Sequence, residues 1–398
     1  MPRLDLAIVT ETYPPEVNGV AMTVGRLVEG LRNNGHRVRV FRPRQHASDP
    51  ERGLQENGDL ALPGFPLPGY AGLRFGLPAK QRLRAAWRAA RPDAVHVVTE
   101  GPLGWSAVAA ARSLGIPVTS GFHTNFDRYS RHYGIGWLQP AVASYLRSFH
   151  RRTRVTLVPT EALAASLAGE GLSGVRVVGR GVDVALFDPA RRSDALRAEW
   201  GMATDDLVVL YVGRLAAEKN IDLALRAFAA IKERCANARF VLVGDGPLRA
   251  KLERQYPAHH FAGQRLGCDL ATHYASGDIF LFPSLTETFG NVTQEAMASS
   301  LAVVAFRSAA AAQMIVDGEN GRTVAPGDDE SFILAAAAMA HSRVAMHELR
   351  ERARRSVSGS GWDAVSLRFE AVLREAIGAS ADVRAGIARS RSGPGFLF

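Results

Sequence analysis

Two cysteines are all that the 398 residues contain, and long apolar runs are missing as well. Cys235 and Cys268 have no cysteine or histidine partner at metal-ligand spacing, so we expect neither a zinc site nor a disulfide framework, and a reducing compartment is favoured. No window reaches the ~18 apolar residues of a membrane span, and the apolar stretch at the N-terminus is too short for a signal peptide. The sequence therefore predicts a soluble, cytoplasmic protein without a bound metal or cofactor.

Acidic residues are few in the first half of the chain. The net charge is +9, and residues 1–185 hold 23 Lys and Arg against 14 Asp and Glu, so this half carries the whole excess. Two stretches, LPAKQRLRAAWRAAR and ASYLRSFHRRTR, combine arginines with aromatic residues at helical spacing. Such helices either lie on an anionic membrane or pack their apolar stripe on their own domain. The asymmetry favours an anionic surface as a partner of this half, and we expect no nucleic acid.

Apolar strands and amphipathic helices alternate along the chain. The first half opens with a strand at Leu4–Val9, a turn-rich loop and a helix at about residues 21–34, whereas residues 43–80 are rich in Pro and Gly and are expected to be irregular. The alternation restarts after the charged turn at residues 183–192. This pattern is typical of α/β proteins with doubly wound parallel sheets.

The restart predicts two domains. We expect Rossmann-like domains at residues 1–185 and 186–361, with their parallel sheets facing across a ligand-binding cleft. One more amphipathic helix is expected at about residues 362–378. Residues 379–398 are rich in Ser, Gly and Arg and are expected to form a disordered tail.

Two acids, Glu287 and Glu295, lie eight positions apart after the apolar strand Ile279–Phe282. Asn291 followed by Gln294 is typical of a helix start, which puts Glu287 on a loop and Glu295 in the first turns of a helix. Ligands bind at that edge of an open parallel sheet, where two carboxylates accept hydrogen bonds from the hydroxyls of a sugar. The alternative is a helix-capping acid and a solvated acid.

A polar loop, GRLAAEKN, follows the strand expected at residues 207–212. Arg214 offers a planar fork of donors and Lys219 a compact charge, and a diphosphate leaving group needs positive charge because its own charge grows as the bond breaks. The alternative is a solvated loop with an ordinary Glu–Lys pair. Two cations at a strand end opposite two acids favour the functional interpretation.

Two positions in the first half are weaker candidates. Gly19 precedes a helix and permits backbone N–H groups to approach a phosphate, although a plain turn glycine is the more frequent explanation. His123 ends a strand within the polar run GFHTNFD, where it has access to a cleft and can hydrogen-bond a sugar or accept a proton. A lone histidine is more often structural.

The stretches YPPEVNGV, SGFHTNF, GRLAAEKN, LVGDGPLR and PSLTETFGNVTQEAM together resemble the retaining glycosyltransferases of GT-B architecture, glycosyltransferase family 4. They occur in the family order, cover nearly the whole chain, and the last contains the E-x7-E signature. The sequence looks closest to bacterial lipid-directed members, such as GDP-mannose-dependent α-mannosyltransferases and glycosyl-diacylglycerol synthases. The resemblance implies a nucleotide-sugar donor, no metal, and a final helix that returns to the first domain.

The resemblance also implies roles for the acids and cations. Glu287 would hold hydroxyls of the donor sugar, and Glu295 would take the ribose hydroxyls. Arg214 and Lys219 would neutralise the nucleotide diphosphate. No residue is an obvious covalent nucleophile, so retention would follow a front-face route in which the leaving phosphate helps to deprotonate the acceptor.

Further residues follow from the same resemblance. Phe289, Gly290 and Asn291 would contribute backbone amides to the sugar and phosphate. Gly19 would let its loop contact the β-phosphate. His123 would contact the sugar near its anomeric carbon. Gly244 and Arg265 would line the nucleobase pocket. The chain departs from the family where the turn before Val182 reads Arg180-Gly181 in place of Asn-Gly.

These observations predict a glycosyltransferase at the cytoplasmic membrane face that moves a hexose to a lipid or lipid-linked acceptor. The donor that they favour is GDP-mannose, which supplies mannose. The alternatives are a UDP-sugar-dependent glycosyl-diacylglycerol synthase, a sugar-nucleotide epimerase or phosphorylase on the same architecture, and a non-catalytic scaffold that docks on a membrane. The oligomeric state does not follow from the sequence.

Overall fold

The computed structural model describes residues 2–16, 18–44, 58–66, 74–123 and 139–391, and within the last range it describes side chains for residues 140–378. Two compact units make up this part of the chain. The first contains the described residues up to Gly179 and the C-terminal helix from Trp362, and the second is Arg180–Gly361. The turn at Arg180, which the sequence assigns to the first domain, thus belongs to the second unit.

The first unit is built on a seven-stranded parallel sheet of order β3-β2-β1-β6-β7-β8-β9, with a two-stranded antiparallel β4-β5 beside it. Its strands β1 to β9 are Asp5–Val9, Arg37–Pro43, Leu60–Leu62, Gly64–Pro66, Arg74–Gly76, Ala94–Val97, Val118–Gly121, Val155–Val158 and Val175–Val177. Its helices α1 to α5 are Gly19–Asn33, Lys80–Ala89, Pro102–Ser113, Gln139–His150 and Glu161–Gly169. β3, β4 and β5 lie in the region expected to be irregular. The sequence does not predict them, because three-residue strands are too short to produce an alternating pattern.

The second unit repeats the plan with a six-stranded parallel sheet of order β12-β11-β10-β13-β14-β15. Its strands β10 to β15 are Val208–Val212, Arg239–Val243, His260–Gly263, Ile279–Phe282, Ala302–Phe306 and Arg322–Val324. Its helices α6 to α13 are Asp194–Glu199, Ile221–Arg234, Arg249–Gln255, Gly267–Ala275, Asn291–Ala298, Ala309–Met314, Asp329–Met339 and Arg343–Val357. β10, β13 and β14 are buried along their whole length, which explains their uninterrupted apolar sequences.

The final helix, α14, is Trp362–Arg391 and packs on the first unit. Val365, Phe369 and Leu373 follow one another at i, i+4 and i+8 and enter the same core cluster as Leu6 and Ile8 of β1. The backbone stays helical to Arg391, whereas the sequence predicts disorder from residue 379. Residues 379–391 contain four alanines and a single glycine, a composition that favours a helix once a packed turn precedes it.

Candidate donor site

The strand order of the second sheet reverses between β10 and β13. β10 leads outward to β11 and β12, whereas β13 leads to β14 and β15 on the other side. Because these strands are parallel, the loops after β10 and β13 emerge at one edge and leave a crevice, which is where ligands bind in such sheets. The first loop carries Arg214 and Lys219, and the second carries Glu287. The topology thus places the predicted cations and the first predicted acid at one switch point.

Lys219 and Glu287 form an ion pair through Nζ and Oε1. Ser284 Oγ donates a hydrogen bond of 2.7 Å to the same carboxylate oxygen. The two charged side chains are 17% and 15% exposed, so solvent and salt screen their attraction less than at the surface. These two contacts hold the carboxylate in one orientation.

Arg214 lies on the same loop and remains more accessible, with 40% of its side chain exposed. Its Nη1 is 3.7 Å from Oε1 of the buried Glu218, and its carbonyl accepts a hydrogen bond of 3.1 Å from the Tyr211 hydroxyl. Burial raises the pKa of Tyr211 well above its usual value, and the charges of Glu287 and Glu218 add to this effect. Tyr211 thus stays a neutral donor that fixes the backbone beneath Arg214.

Glu295 occupies the second turn of α10, where Tyr274 of α9 donates a hydrogen bond of 2.9 Å to its Oε2. Burial of the carboxyl group raises the pKa of Glu295 to about 7, and the Tyr274 hydrogen bond lowers it only in part. Burial, followed by the charge of Glu295, raises the pKa of Tyr274 well above its usual value. Around neutral pH the Glu295 carboxyl therefore changes between its neutral and its charged form.

The helix start differs from the one expected. Gly290, at φ +87°, is the N-cap of α10, and Asn291 is the first helical residue, so Asn291 and Gln294 do not form a capping box. Asn291 Oδ1 instead accepts a hydrogen bond of 3.3 Å from Arg180 Nη1, and Gln294 Nε2 donates one of 2.9 Å to the Arg180 carbonyl. A left-handed N-cap turns the chain sharply, and only glycine adopts it without strain.

Gly244 and Arg265 lie at the same edge of the sheet, after β11 and β12. A Cβ atom on Gly244 would come within 2.0 Å of the Gly213 carbonyl oxygen, so the loops after β10 and β11 pack backbone against backbone. Arg265 Nε donates to the Ala262 carbonyl at 2.9 Å, and its Nη1 pairs with Asp269 at 3.1 Å. Contact with a nucleobase stays a prediction for both residues.

The remaining candidates belong to the first unit. Gly19 is the exposed first residue of α1, which Asn18 caps by accepting hydrogen bonds from the N–H groups of Val20 and Ala21. His123 follows β7, and its ring lies so close to Gly121 that a Cβ atom there would meet Nε2 at 2.3 Å. The polar run after His123 lies outside the described residues. The roles of Gly19 and His123 therefore stay predictions.

Most of the apolar side chains of the two basic helices face the interior of the first unit, although Tyr145 of α4 is exposed. In α2, Leu83 and Trp87 are buried, and Trp87 packs edge-on against Phe41 at 5.7 Å between ring centres. In α4, Leu146 and Phe149 are buried. Packing on the parent domain, one of the two interpretations left open by the sequence, thus accounts for these four side chains. Insertion of Trp87 or Phe149 into a membrane is excluded, because it would remove them from the core.

Within the described part of the chain, no helix combines the length and apolarity needed to cross a bilayer. Among the same residues, no three His, Cys, Asp or Glu side chains converge as a metal site requires. The independence from metal expected from the resemblance stays a prediction.

Several residues of the site escape prediction from the sequence. Tyr211, Tyr274 and Ser284 contribute hydrogen bonds, but the tyrosines occupy apolar faces of a strand and a helix and resemble core residues. Glu218 resembles a solvated loop acid but is buried beside Arg214. A usable signal is the position of Ser284, three residues before Glu287, where a hydroxyl on a tight loop reaches the later carboxylate.

A doubled α/β fold with cations and carboxylates at a switch point is suited to a ligand that carries both negative charge and hydroxyl groups. Residues 17–186 match the family described as "Glycosyltransferase Family 4", and residues 206–342 match "Glycosyl transferases group 1". The chain belongs to the family 4 glycosyltransferases of GT-B architecture and is a glycosyltransferase.

Relatives and solved structures agree with this assignment. A GDP-mannose-dependent alpha-mannosyltransferase of Mycobacterium tuberculosis is 35% identical over 90% of this chain and 93% of the relative. An alpha-monoglucosyldiacylglycerol synthase of Acholeplasma laidlawii is 27% identical over 79% of this chain and 83% of the relative. In fold, the chain is similar to sucrose-phosphate synthase from Thermosynechococcus elongatus, with a TM-score of 0.75 and 20% identity over 94% of this chain and 100% of that one.

Proposed function

We propose that this glycosyltransferase transfers mannose from GDP-mannose to a lipid or lipid-linked acceptor with retention of anomeric configuration. The observation that carries the proposal is the Lys219–Glu287 pair at the switch point of the second sheet, beside Arg214. The choice of mannose and GDP rests on the 35% identity to the mannosyltransferase of Mycobacterium tuberculosis.

The proposed chemistry assigns one task to each charged group. Glu287 accepts hydrogen bonds from the donor sugar, and its pairing with Lys219 keeps it oriented. Arg214 and Lys219 stabilise the negative charge that grows on the diphosphate, together with the N–H groups at the start of α10. Glu295 accepts hydrogen bonds from the ribose. With this positive charge present, transfer requires no metal, and we expect full activity in the presence of a chelator.

In the proposed step the bond from the anomeric carbon to the phosphate oxygen breaks as the bond to the acceptor oxygen forms on the same face. The acceptor hydroxyl gives its proton to an oxygen of the leaving phosphate. The electron pair of the broken bond stays on the diphosphate, which is why the cations of the donor site act chiefly in the transition state.

We place the reaction at the cytoplasmic face of a membrane, with the basic first unit docked electrostatically. The exposed arginines of α2 and those that follow α4 supply the charge, since Trp87 and Phe149 are buried. This docking is independent of the donor chemistry, and either is testable without the other.

A UDP-sugar-dependent glycosyl-diacylglycerol synthase is the second candidate. The relative from Acholeplasma laidlawii is named an alpha-monoglucosyldiacylglycerol synthase, which supports the acceptor class but not the choice of nucleotide. Epimerase and phosphorylase activities are weaker candidates. An epimerase would convert the donor without an acceptor, and a phosphorylase would require inorganic phosphate, so these requirements distinguish both from a transferase. A non-catalytic scaffold is set aside by the family assignment.

The test is a two-stage assay on the purified full chain. Thermal shifts with GDP-mannose, UDP-glucose and an ADP-sugar identify the donor, because a ligand bound only by the folded state raises Tm. The selected donor is then incubated with lipid acceptors, nucleotide diphosphate release is measured, and the product anomer is determined by NMR. We expect GDP release only when acceptor is present, and an α-linked product. A UDP-sugar preference would replace the first candidate by the second, and an inverted product would contradict the mechanism.

A further inference from the structure

Arg180 packs against residues 289–294, the segment at the start of α10 to which donor binding is assigned. It is 7% exposed, and it contacts that segment three times. Its Nη1 donates to Asn291 Oδ1 at 3.3 Å, its carbonyl accepts from Gln294 Nε2 at 2.9 Å, and its guanidinium carbon lies 5.8 Å from the centre of the Phe289 ring. One arginine thus contacts the residues before, at and after the first turn of α10.

The position is electrically unusual for a buried cation. The start of a helix carries a partial positive charge and favours acidic neighbours, yet the first turn of α10 contains no acid and its N-cap offers no side chain. Burial lowers the pKa of Arg180 to about 10, and the charge of Glu287 acts in the opposite direction. The guanidinium is therefore still charged at neutral pH, close to a helix start that disfavours a cation.

An incoming anion reverses this balance. A diphosphate at the start of α10 would be attracted by the helix end and by Arg180 at once, whereas a neutral ligand would gain nothing from either. Folding already desolvates and positions the Arg180 guanidinium, so this charge need not be reoriented during the reaction.

We infer that Arg180 is a further positioning residue of the donor site, which holds the first turn of α10 in place through Asn291 and Gln294 and supplies positive potential for the donor's diphosphate. The inference rests on the proposed function, because it assumes a nucleotide diphosphate sugar as ligand. It differs from the roles of Arg214 and Lys219, which lie on the loop after β10.

The test compares Arg180→Met, which removes the charge at similar length, with Arg180→Lys, which keeps it. Binding of GDP-mannose and of guanosine is measured by calorimetry, and kcat and KM are measured for GDP-mannose. We expect Arg180→Met to weaken GDP-mannose binding about tenfold or more and to leave guanosine binding within twofold. Arg180→Lys should recover most of the affinity, because it restores the charge without the planar fork.

Arg192→Met serves as the matched control. Arg192 is another arginine of the second unit and is 27% exposed, but it pairs at 3.2 Å with Asp278, the residue that precedes β13. This variant should lower Tm without changing the affinity for GDP-mannose.

Three outcomes would overturn the inference. They are wild-type GDP-mannose affinity in Arg180→Met, equal losses for GDP-mannose and guanosine, and a Lys variant as weak as the Met variant. If the wild-type protein itself binds no sugar nucleotide, the proposed function fails first. If the wild-type protein binds GDP-mannose and the Arg180 variants keep that affinity, as the Arg192 control should, the inference fails and the proposed function stands.

Discussion

Lys219 and Glu287 are 68 residues apart in the chain and meet as a largely buried pair. Removal of one member leaves the other charge without its partner in a site that is poorly solvated, which costs more than the pair itself contributes. The pair therefore couples the structure of the site to its chemistry, and single substitutions affect both.

Lys219→Ala is expected to lower kcat on the order of a hundredfold, since one electrostatic donor to the leaving group is lost. Glu287→Ala is expected to lower kcat comparably, because the sugar loses its anchor. Steady-state kinetics with GDP-mannose measure both effects. Lys232→Ala on α7 is the control and should retain wild-type kcat, because Lys232 donates only to the Ala238 carbonyl. A Lys219→Ala variant with near-normal turnover would contradict the assigned role.

Glu295 gives the donor site a pH dependence. Its pKa lies near 7 through burial, and only the ionised carboxylate is a pure acceptor for ribose hydroxyls. Affinity for GDP-mannose should therefore rise from pH 6 to pH 8, by up to about tenfold per pH unit below the pKa. Calorimetry measures this with GDP-mannose, whose esterified phosphates keep their charge over the range. Glu295→Gln should flatten the profile, and an equally steep profile in this variant would refute the assignment.

Glu11 is a buried acid of the first unit whose Oε1 accepts a hydrogen bond of 3.1 Å from the Leu103 N–H at the start of α3. Burial raises the pKa of Glu11 from 4.5 to about 7, although the hydrogen bond from Leu103 lowers it in part. The folded protein thus binds more protons than the unfolded chain between these values. Glu11 therefore lowers stability progressively as pH rises from 4.5 to about 7, with little further change above.

Glu11→Gln should remove that loss. We expect the variant to match the wild-type protein near pH 5 and to exceed it at pH 8, by roughly 3 kcal/mol at most. Urea denaturation at both pH values measures the difference. Glu170→Gln, at a half-exposed position on the same unit, is the control and should follow the wild-type curve. A Glu11→Gln variant that is less stable than wild type at pH 8 would show that the carboxylate is needed in its charged form.

Helix α14 shows how one element can be long and still depend on few residues. Its inner face enters the core of the first unit through Val365, Phe369 and Leu373, and Phe369 also packs edge-on against His96 at 4.9 Å between ring centres. The stripe follows helical periodicity, so the sequence predicts the helix. The core that receives it comes from strands and helices several hundred residues earlier.

Phe369→Ala is expected to destabilise the protein by about 3–5 kcal/mol, because a buried phenyl ring is replaced by a cavity. Leu367→Ala on the same helix should cost less than about 1 kcal/mol, since Leu367 is 58% exposed. Chemical denaturation of both variants measures the contrast. Equal losses would mean that α14 does not pack on the first unit as described.

The start of α10 shows where an element prediction fails. Asn291 and Gln294 have the spacing of a capping box, but both side chains bind Arg180 instead, and Gly290 makes the turn. A local motif competes with every other partner that the fold supplies. Here the partner is 111 residues away for Asn291, at a distance that no local rule can include.

At the scale of the whole molecule, charge is divided unevenly along the chain. The first 185 residues carry the entire excess of nine positive charges, and the exposed faces of α2 and of the segment after α4 display part of it. With Trp87 and Phe149 buried, we expect attraction to a membrane to be chiefly electrostatic, so it should weaken with salt.

Liposome sedimentation tests this attraction. We expect binding to vesicles that contain anionic lipid and little binding to neutral vesicles. The charge reversal Arg82→Glu with Arg88→Glu on α2 should reduce binding about thirtyfold or more, at about 1 kcal/mol per basic residue near the surface. Arg343→Glu with Arg355→Glu, at exposed positions of the second unit, changes the net charge equally and should have a smaller effect. Equal binding to neutral vesicles would end the membrane proposal and leave the enzyme intact.

The sequence by itself determined the class of fold and the family, because both depend on local signals. Buried parallel strands appear as continuous apolar runs, amphipathic helices appear as periodic ones, and the five stretches shared with family 4 glycosyltransferases are contiguous. Glu287, Arg214 and Lys219 could be selected for the same reason, since each lies just after a predicted strand.

The tertiary structure decided what those residues touch. It paired Glu287 with Lys219, placed Tyr274 on Glu295 and Arg180 behind α10, and buried Trp87 and Phe149 of the basic helices. Whether a tyrosine is a core residue or a hydrogen-bond donor, and whether a basic helix faces solvent with its apolar side, depends on partners distant in the chain. Those contacts follow from strand order, which the order of residues along the chain does not specify.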